Sequence, residues 1–599
     1  MCGISGIFNI NKKSLETKSI IRKILNIQNK RGPDKQNIWF SECGKITFGH
    51  NRLSIIDLSE KATQPFVSLD KNFIITFNGE IYNYKELKKY LVKKKVKFKS
   101  NSDTEVILQA YKFWGSTFVT KLRGMFAFAI WDKVENKLLL ARDPFGIKPM
   151  YFTKKENIFY FASQVKSILS IPSLSFKKSE KSMLDYFLWG NIQEPSTLYE
   201  DINSLEKGTV KIIYSNGTEE NIQYANIKDT LINTKGSYFN NEKELDAKLT
   251  ELITETVNYH QIADVPITYL LSAGVDSSVI LASLDDGLKE NNSALTLDFN
   301  YAGINDETIL AKKTAKQNKI KHDVIKINQD EIEDLIKVYY KSMDLPTNDG
   351  LNNFLVSRIA SKNNSKVIIS GIGADEFFFG YPSFKQVPML KKFSNFLPNT
   401  KIINKSFLKL FYNLFSKIKI NTKYSGILSY GRNLNSAYML QRCVFMPNEF
   451  EDLISKKIIH EKFDELQLNS EINNDLNGFD DENLSIMYLE IKYYLCSKLL
   501  RDSDWASMSN SIELRTPFVD WFFFKELVKI IKSNFNISKK NMINCFKEKI
   551  PKELYNRRKT GFNIPHKNYL NIVSNNKIEY TPLKDWSLLN YKKYLEYEK

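Results

Sequence analysis

Two groups of residues in this chain have the types and spacing to do chemistry, one at the amino terminus and one past the middle. Cys2 sits between Met1 and Gly3. Loss of a methionine ahead of so small a neighbour exposes a cysteine whose own α-amine titrates near ~7.7–8.0, beside a thiol near ~8.5. Directly or through a water, that amine can take the thiol proton, so one residue supplies nucleophile and base. Arg52 opens the run RLSIID, and its planar fork suits a bidentate carboxylate. The strand-like Phe73 to Phe77 leads into FNGEIYN, where Asn78-Gly79 reads as a sharp turn. The Asn78 amide and the Gly79 N–H there can form an oxyanion hole. Glu80, and Asp103 in SNSDTE, are acids able to pair with an ammonium group. In the second group, Ser272-Ala-Gly-Val-Asp-Ser-Ser278 follows the apolar run Ile267 to Leu271 and opens a helix. Small residues, hydroxyls and a helix N-terminus together suit phosphates, although the GK[ST] of a Walker loop is absent. Ser370-Gly-Ile-Gly-Ala-Asp-Glu376 follows a second apolar run, and Asp375 with Asp276 offers carboxylates to Mg²⁺.

The elements that must position these residues differ along the chain. Up to about residue 210, short β-type runs dominate: Ile4 to Ile10, Ile46 to Phe48, Phe73 to Phe77, Phe126 to Trp131, Lys137 to Ala141 and Phe159 to Ala162. Residues 211–245 are polar and read as an irregular linker. From 246 to 599, helical segments alternate with the short runs Ile267 to Leu271, Ala294 to Phe299, His322 to Ile327 and Val367 to Ile369. That alternation predicts a parallel α/β sheet, with mostly helical chain from 384 to 530. A hydrophobic content of 42% favours packed cores over disorder. The longest apolar runs, such as Met125 to Trp131, fall far short of the roughly 20 residues of a membrane helix, and no signal-peptide pattern stands at the amino terminus. The 5 cysteines are scattered without CxxC spacing, which predicts a reducing cytoplasm and neither disulfides nor a zinc cluster. The 86 Lys plus Arg against 68 Asp plus Glu leave a net charge of +18. The excess is mostly lysine and spread out, so Lys93 to Lys95 and the pair Lys539 and Lys540 read as solvated faces, and no nucleic-acid partner is expected.

In order along the chain stand MCGISGIF, RGPD (Arg31 to Asp34), RLSIID, NGEIYN, SDTE, GMFAFAIWD and RDPFGIKP. Together they resemble the class II, N-terminal-nucleophile glutamine amidotransferase domain over essentially all of residues 1–200, within a domain expected at 1–210. The resemblance implies an αββα sandwich, with Cys2, Asn78 and Gly79 catalytic and Arg52, Leu53, Ser54, Ile55, Ile56, Asn78, Gly79, Glu80 and Asp103 binding glutamine. The loop at Ser272 is similar to the SGGxDSS loop of the ATP-pyrophosphatases, which release AMP and pyrophosphate. Leu499 to Asp520 and NRRKTGFNIP (Asn556 to Pro565) are similar to signatures of the asparagine-synthetase family. Two domains in this order resemble the glutamine-hydrolysing asparagine synthetases. What that implies is a carbon–nitrogen ligase using ATP and Mg²⁺, with glutamine as amido donor and aspartate as acceptor. Leu270, Ser272, Ala273, Gly274, Asp276, Ser277, Ser278, Leu297, Ser370 and Gly371 would bind ATP, Asp276 and Asp375 Mg²⁺, and Lys559 would neutralise the reacting phosphates. A homodimer is a family expectation only.

Two positions depart from the family's pattern. Ala273 replaces its first glycine, which a negative φ would allow. Ile372 stands where these synthetases usually carry an acid in the second position of the loop that reads GIGADE here. The acceptor is therefore open between aspartate and another carboxylate, such as a uronic acid, with Asp349 and Asn352 as acceptor-site candidates.

Overall fold

The computed structural model describes residues 2–10, 16–298, 305–327, 329–396, 426–453, 465–557, 570 and 581–598. Two six-stranded antiparallel sheets come first. One runs in the order β10 (Asn203–Ser204), β8 (Tyr151–Lys155), β9 (Ile158–Ala162), β1 (Gly3–Asn9), β3 (Ile46–Arg52), β2 (Lys35–Phe40). The other runs β12 (Glu219–Gln223), β11 (Thr209–Tyr214), β7 (Lys137–Arg142), β6 (Gly124–Asp132), β5 (Phe73–Ile81), β4 (Phe66–Val67). Side chains alternate across each strand, and both faces are apolar. Ile4 and Phe8 of β1 meet Ala127, Ala129 and Trp131 of β6 in a core between the sheets. Ile7 of β1 and Phe126, Phe128 and Ile130 of β6 belong instead to the core shared with the helices. Helix Thr17–Ile27 buries Ile20, Ile21, Ile24 and Leu25, the spacing of a single helical face. Helix Asp103–Trp114 lies on the other sheet, its N-terminus capped by the Ser102 hydroxyl, which accepts the Glu105 N–H at 3.3 Å. The result is the expected sandwich of antiparallel sheets between helices.

Two local expectations need correction. Asn78-Gly79 makes no turn: β5 runs straight through it, with Asn78 opposite Ala127 and Gly79 opposite Phe126. The ladder to β6 outweighs the local turn preference of the dipeptide. Residues 211–223 are not irregular either, because β11 and β12 form a hairpin that extends the second sheet. Glu219, Glu220, Asn221 and Gln223 are polar since β12 is an exposed edge strand.

The later strands form a parallel sheet in the order β15 (Lys321–Lys326), β14 (Ser293–Asp298), β13 (Ile267–Leu270), β16 (Val367–Ile369), β17 (Glu513–Arg515). The chain builds outward from β13 to β15, then returns to the other side of β13 with β16. The loops after β13 and β16 therefore flank the switch point, where open α/β sheets bind ligands. An unbroken helical rod spans Glu482–Leu489, Glu490–Leu500 and Arg501–Met508, and its middle part winds as a π-helix.

Candidate active site

The amino-terminal residues singled out above converge. Cys2, Arg52, Leu53, Ile55, Ile56, Gly79, Glu80 and Asp103 line one cleft, together with Gln64, Phe77 and Thr104 among others. Ser54 is outside its lining and instead donates its N–H to the Asp34 carboxylate at 2.8 Å. Cys2 is carried by the start of β1, beside the strand that holds Asn78. The Cys2 backbone N–H donates to Asn78 Oδ1 at 3.0 Å, and Arg31 Nε donates to the Cys2 carbonyl at 3.2 Å. With its oxygen so engaged, the buried Asn78 Nδ2 has no hydrogen-bond partner among the described residues. Burial pushes the Cys2 thiol up, while the amino-terminal charge, the Leu53 amide and Arg52 pull it down.

A second donor comes from strand geometry. Alternate amides of β5 point away from β6. The Phe77 N–H goes to Gln64 Oε1 at 2.7 Å and the Ile81 N–H to Asp103 Oδ2 at 3.1 Å. The Gly79 N–H lies between these two, on the cleft side. Gly79 has φ +149°, and a Cβ there would fall 2.1 Å from the Met125 carbonyl oxygen, so glycine is required. Asn78 and Glu80, two residues apart, share a face. Burial and the facing Glu513 carboxylate push Glu80 well up, and Arg515 pulls it back. Burial likewise lifts Asp103 to about 7 against its two backbone donors. Arg52 is braced, Nη1 donating to the Ser59 carbonyl at 3.1 Å and Nη2 to that of Asp57 at 2.5 Å. The cleft thus gathers a thiol, the Gly79 amide, two acids and a guanidinium, while Asn78, bonded to the Cys2 backbone, lies outside its lining.

At the switch point, the loop after β13 is knotted by its own serines. Ser277 Oγ accepts the Ser272 N–H at 3.2 Å, Ser272 Oγ accepts the Gly274 N–H at 3.1 Å, and Ser278 Oγ donates to the Gly274 carbonyl at 2.8 Å. Ala273 keeps a negative φ, so its methyl is accommodated. Helix Val275–Ala282 starts here, with Asp276 in its first turn. The loop after β16 lies against it: a Cβ on Gly371 would come 2.8 Å from that of Asp276. Ser370 starts this loop, and Leu270 and Leu297 lie on the adjoining ends of β13 and β14.

Asp276 and Asp375 are brought together by a residue the sequence reading missed. Lys539 is no solvated-face lysine: its ammonium bonds both Asp276 oxygens, at 2.6 and 2.7 Å, and also pairs with Asp375. Burial opposes its charge, but the two carboxylates outweigh that and hold Lys539 above its ordinary value. Gly380 makes room, since a Cβ there would fall 2.1 Å from Asp375 Oδ1. No spacing signal tied residue 539 to 276 or 375. Lys559 lies outside the described residues.

Beside this crevice the helical rod presents a mixed cluster. The Arg442 guanidinium sits over the rings of Tyr381 and Tyr494, at 4.5 and 4.1 Å, and is paired with Glu490 at 2.7 Å. Tyr381 donates to Glu376 Oε1 at 3.0 Å, and burial with the neighbouring Asp375 lifts Glu376 to about 7. Lys498 is only 8% exposed and has no ion-pair partner among the described residues; burial lowers its pKa, with Asp349 and Asp502 opposing. Ile372 is half-buried against the core. Among the described residues, no helix is long and apolar enough to cross a membrane.

A family model described as a glutamine amidotransferase domain matches residues 1–225, and one described as asparagine synthase matches residues 248–593. Among curated proteins the chain is similar to "Asparagine synthetase [glutamine-hydrolyzing] 1" of Bacillus subtilis, at 30% identity covering 93% of this chain and 86% of that one. It is also similar to "Asparagine synthetase [glutamine-hydrolyzing] 3" of the same organism, at 26% identity, with 87% and 79% covered. A third relative is "Amidase chry2" of Gibberella zeae, at 29% identity, with 64% and 60% covered.

Proposed function

The chain belongs to the glutamine-hydrolysing asparagine synthetase family, ATP-dependent carbon–nitrogen ligases with glutamine as amido donor, and on that premise we propose that it converts aspartate to asparagine. The observation that carries the glutaminase half is the cleft that joins Cys2 to Gly79, Glu80, Asp103 and Arg52, with Asn78 bonded to the Cys2 backbone behind it. Cys2, freed of Met1, attacks the glutamine carboxamide after its thiol proton passes to its own α-amine. The Asn78 Nδ2 and Gly79 N–H groups receive the developing oxyanion. Arg52 holds the glutamine carboxylate, and Glu80 and Asp103 its ammonium. Ammonia leaves, and water clears the glutamyl thioester.

In the other half, a substrate carboxylate attacks the α-phosphate of ATP, pyrophosphate departs, and ammonia displaces AMP from the acyl-adenylate. The loops at Ser272–Ser278 and Ser370–Gly371 are the ATP site in this reading, with Leu270 and Leu297 against the base. Asp276 and Asp375 would hold Mg²⁺, and their convergence on the single ammonium of Lys539 supports a point built for a cation. When bound, the ion neutralises phosphate charge. The lysine can then turn to the departing pyrophosphate, with Lys559 as a second cation. Ammonia kept from bulk water between the halves stays unprotonated and reactive.

Aspartate as acceptor is supported by the buried, unpaired Lys498 beside Asp349: one offers a cation to an α-carboxylate, the other an anion to an α-ammonium. A second reading follows from Ile372, an apolar residue where an acid is usual, and takes a sugar acid as acceptor. Glu376, near neutrality in pKa, can accept the proton of attacking ammonia in either case. Purified enzyme with glutamine, ATP and a panel of carboxylic acids decides between them. Pyrophosphate release and asparagine formation with aspartate are expected; release with a uronic acid and none with aspartate would overturn the first reading.

A further inference from the structure

The signature segment Leu499 to Asp520 carries charges that the ATP loops do not use. Three of them cross into the sandwich. Asp504 takes Arg31 at 2.7 Å, Asp520 takes Arg123 at 2.9 Å, and Arg515 faces Glu80 at 3.8 Å. Arg515 stands apart because its partner lies in the glutamine cleft. It is wholly buried at the end of β17. Nε donates to Glu513 at 2.6 Å, and Nη1 to the carbonyls of His260 and Ile262 at 2.7 and 2.9 Å. Three anchors therefore fix the guanidinium plane. Among the described residues the remaining Nη2 makes no hydrogen bond, and neither does Glu80 Oε2, the atom it faces.

A buried carboxylate without a cation takes up a proton rather than stay charged. Three carboxyl groups, Glu80, Glu513 and Asp103, surround this one guanidinium, so the cleft is short of positive charge there. The α-ammonium of glutamine supplies it. We propose that Arg515 is a positioning residue of the glutaminase reaction, contributed by the synthetase half, which aims Glu80 at the glutamine ammonium and, together with that ammonium, holds it ionised. The glutaminase cleft is then incomplete without the β17 edge of the other sheet. The same residue's carbonyl accepts the Ser370 N–H at 2.9 Å, so its backbone also braces the second ATP loop. The proposal rests on the reading of Glu80 as a ligand for glutamine.

Glutaminase kinetics on full-length Glu80→Gln, Arg515→Lys and the double variant test it, with ammonia-dependent pyrophosphate release as a second readout. Each single change is expected to raise the glutamine KM about tenfold or more, with a smaller effect on kcat. The double variant should be no worse than Glu80→Gln alone, since Arg515 acts through Glu80. Ammonia-dependent release should persist throughout. An unchanged KM in Glu80→Gln would overturn both the Glu80 reading and the proposal. A raised KM there with an unchanged one in Arg515→Lys, or multiplied effects in the double variant, would overturn the Arg515 role alone. Loss of ammonia-dependent release in Arg515→Lys would make the residue general scaffold and also overturn it.

Discussion

The proposed glutamine cleft takes its amide donors from strand β5, whereas the proposed ATP crevice is edged by loops. In the cleft, β5 is held along its length by β6, and the neighbours of Gly79 are tied to Gln64 and Asp103. The two amide donors are in place before any substrate arrives, which is what an oxyanion requires of its site. In the crevice, charge is shared provisionally, with Asp276 and Asp375 both leaning on Lys539. Phosphate transfer needs charges that can exchange partners as pyrophosphate forms and leaves. Amide hydrolysis and adenylation therefore call for opposite kinds of rigidity, and the chain keeps them on different sheets.

A first variant tests whether the sites are separate in chemistry. Asp276→Ala should lower ATP-dependent pyrophosphate release by about 10³-fold or more, as removal of a group stabilising developing charge does, while glutamine hydrolysis persists. An equal fall in both would merge the two sites. Next comes Asp504→Ala. Arg31 and Lys148 would lose their shared buried carboxylate, at 2.7 and 3.5 Å. A buried cation left uncompensated costs about 3–5 kcal/mol. A clear drop in Tm and in denaturant midpoint should follow, with glutaminase loss as Arg31 shifts from the Cys2 carbonyl.

The smallest effect sharpens the comparison by pH. Asp103 is lifted to about 7, above the ~3.9 of a free aspartate. Between those values the folded chain therefore keeps a proton that the unfolded chain has released. Its contribution to stability is present at low pH and is lost as pH rises towards 7. Over the upper part of the same range the carboxylate appears and can attract glutamine's ammonium. The glutamine KM should fall from pH 6 to pH 8, and Asp103→Asn should flatten that dependence. ATP-dependent release with free acceptor and ammonia should not follow the Asp103 titration.

Much of this was legible in the sequence, for physical reasons that also mark where legibility ends. Cys2 lies just before the strand-like run Ile4 to Ile10 and Glu80 just after Phe73 to Phe77, so local pattern placed those two near their strands, whereas the end of β3 at Arg52 and the helix opened by Asp103 carry no such mark. Asn78-Gly79 misled because a turn signal is local, while the ladder that overrides it comes from β6, more than forty residues away. Lys539 was read as solvated because a lysine beside another lysine carries no mark of its partners, and only the fold brings it to Asp276. Strand β17, three residues long, hid within helix-rich sequence, and with it the reach of Arg515 into the other half.

The central claim is that a thiol in one half makes the ammonia that an adenylating centre in the other half consumes. Cys2→Ala, assayed with ATP, Mg²⁺ and acceptor in parallel on glutamine and on ammonium chloride, tests it directly. Amide formation from glutamine should fall by about 10⁴-fold or more, as for removal of a covalent nucleophile, while that from ammonia stays near wild type. Equal loss on both nitrogen sources, or undiminished use of glutamine, would contradict it.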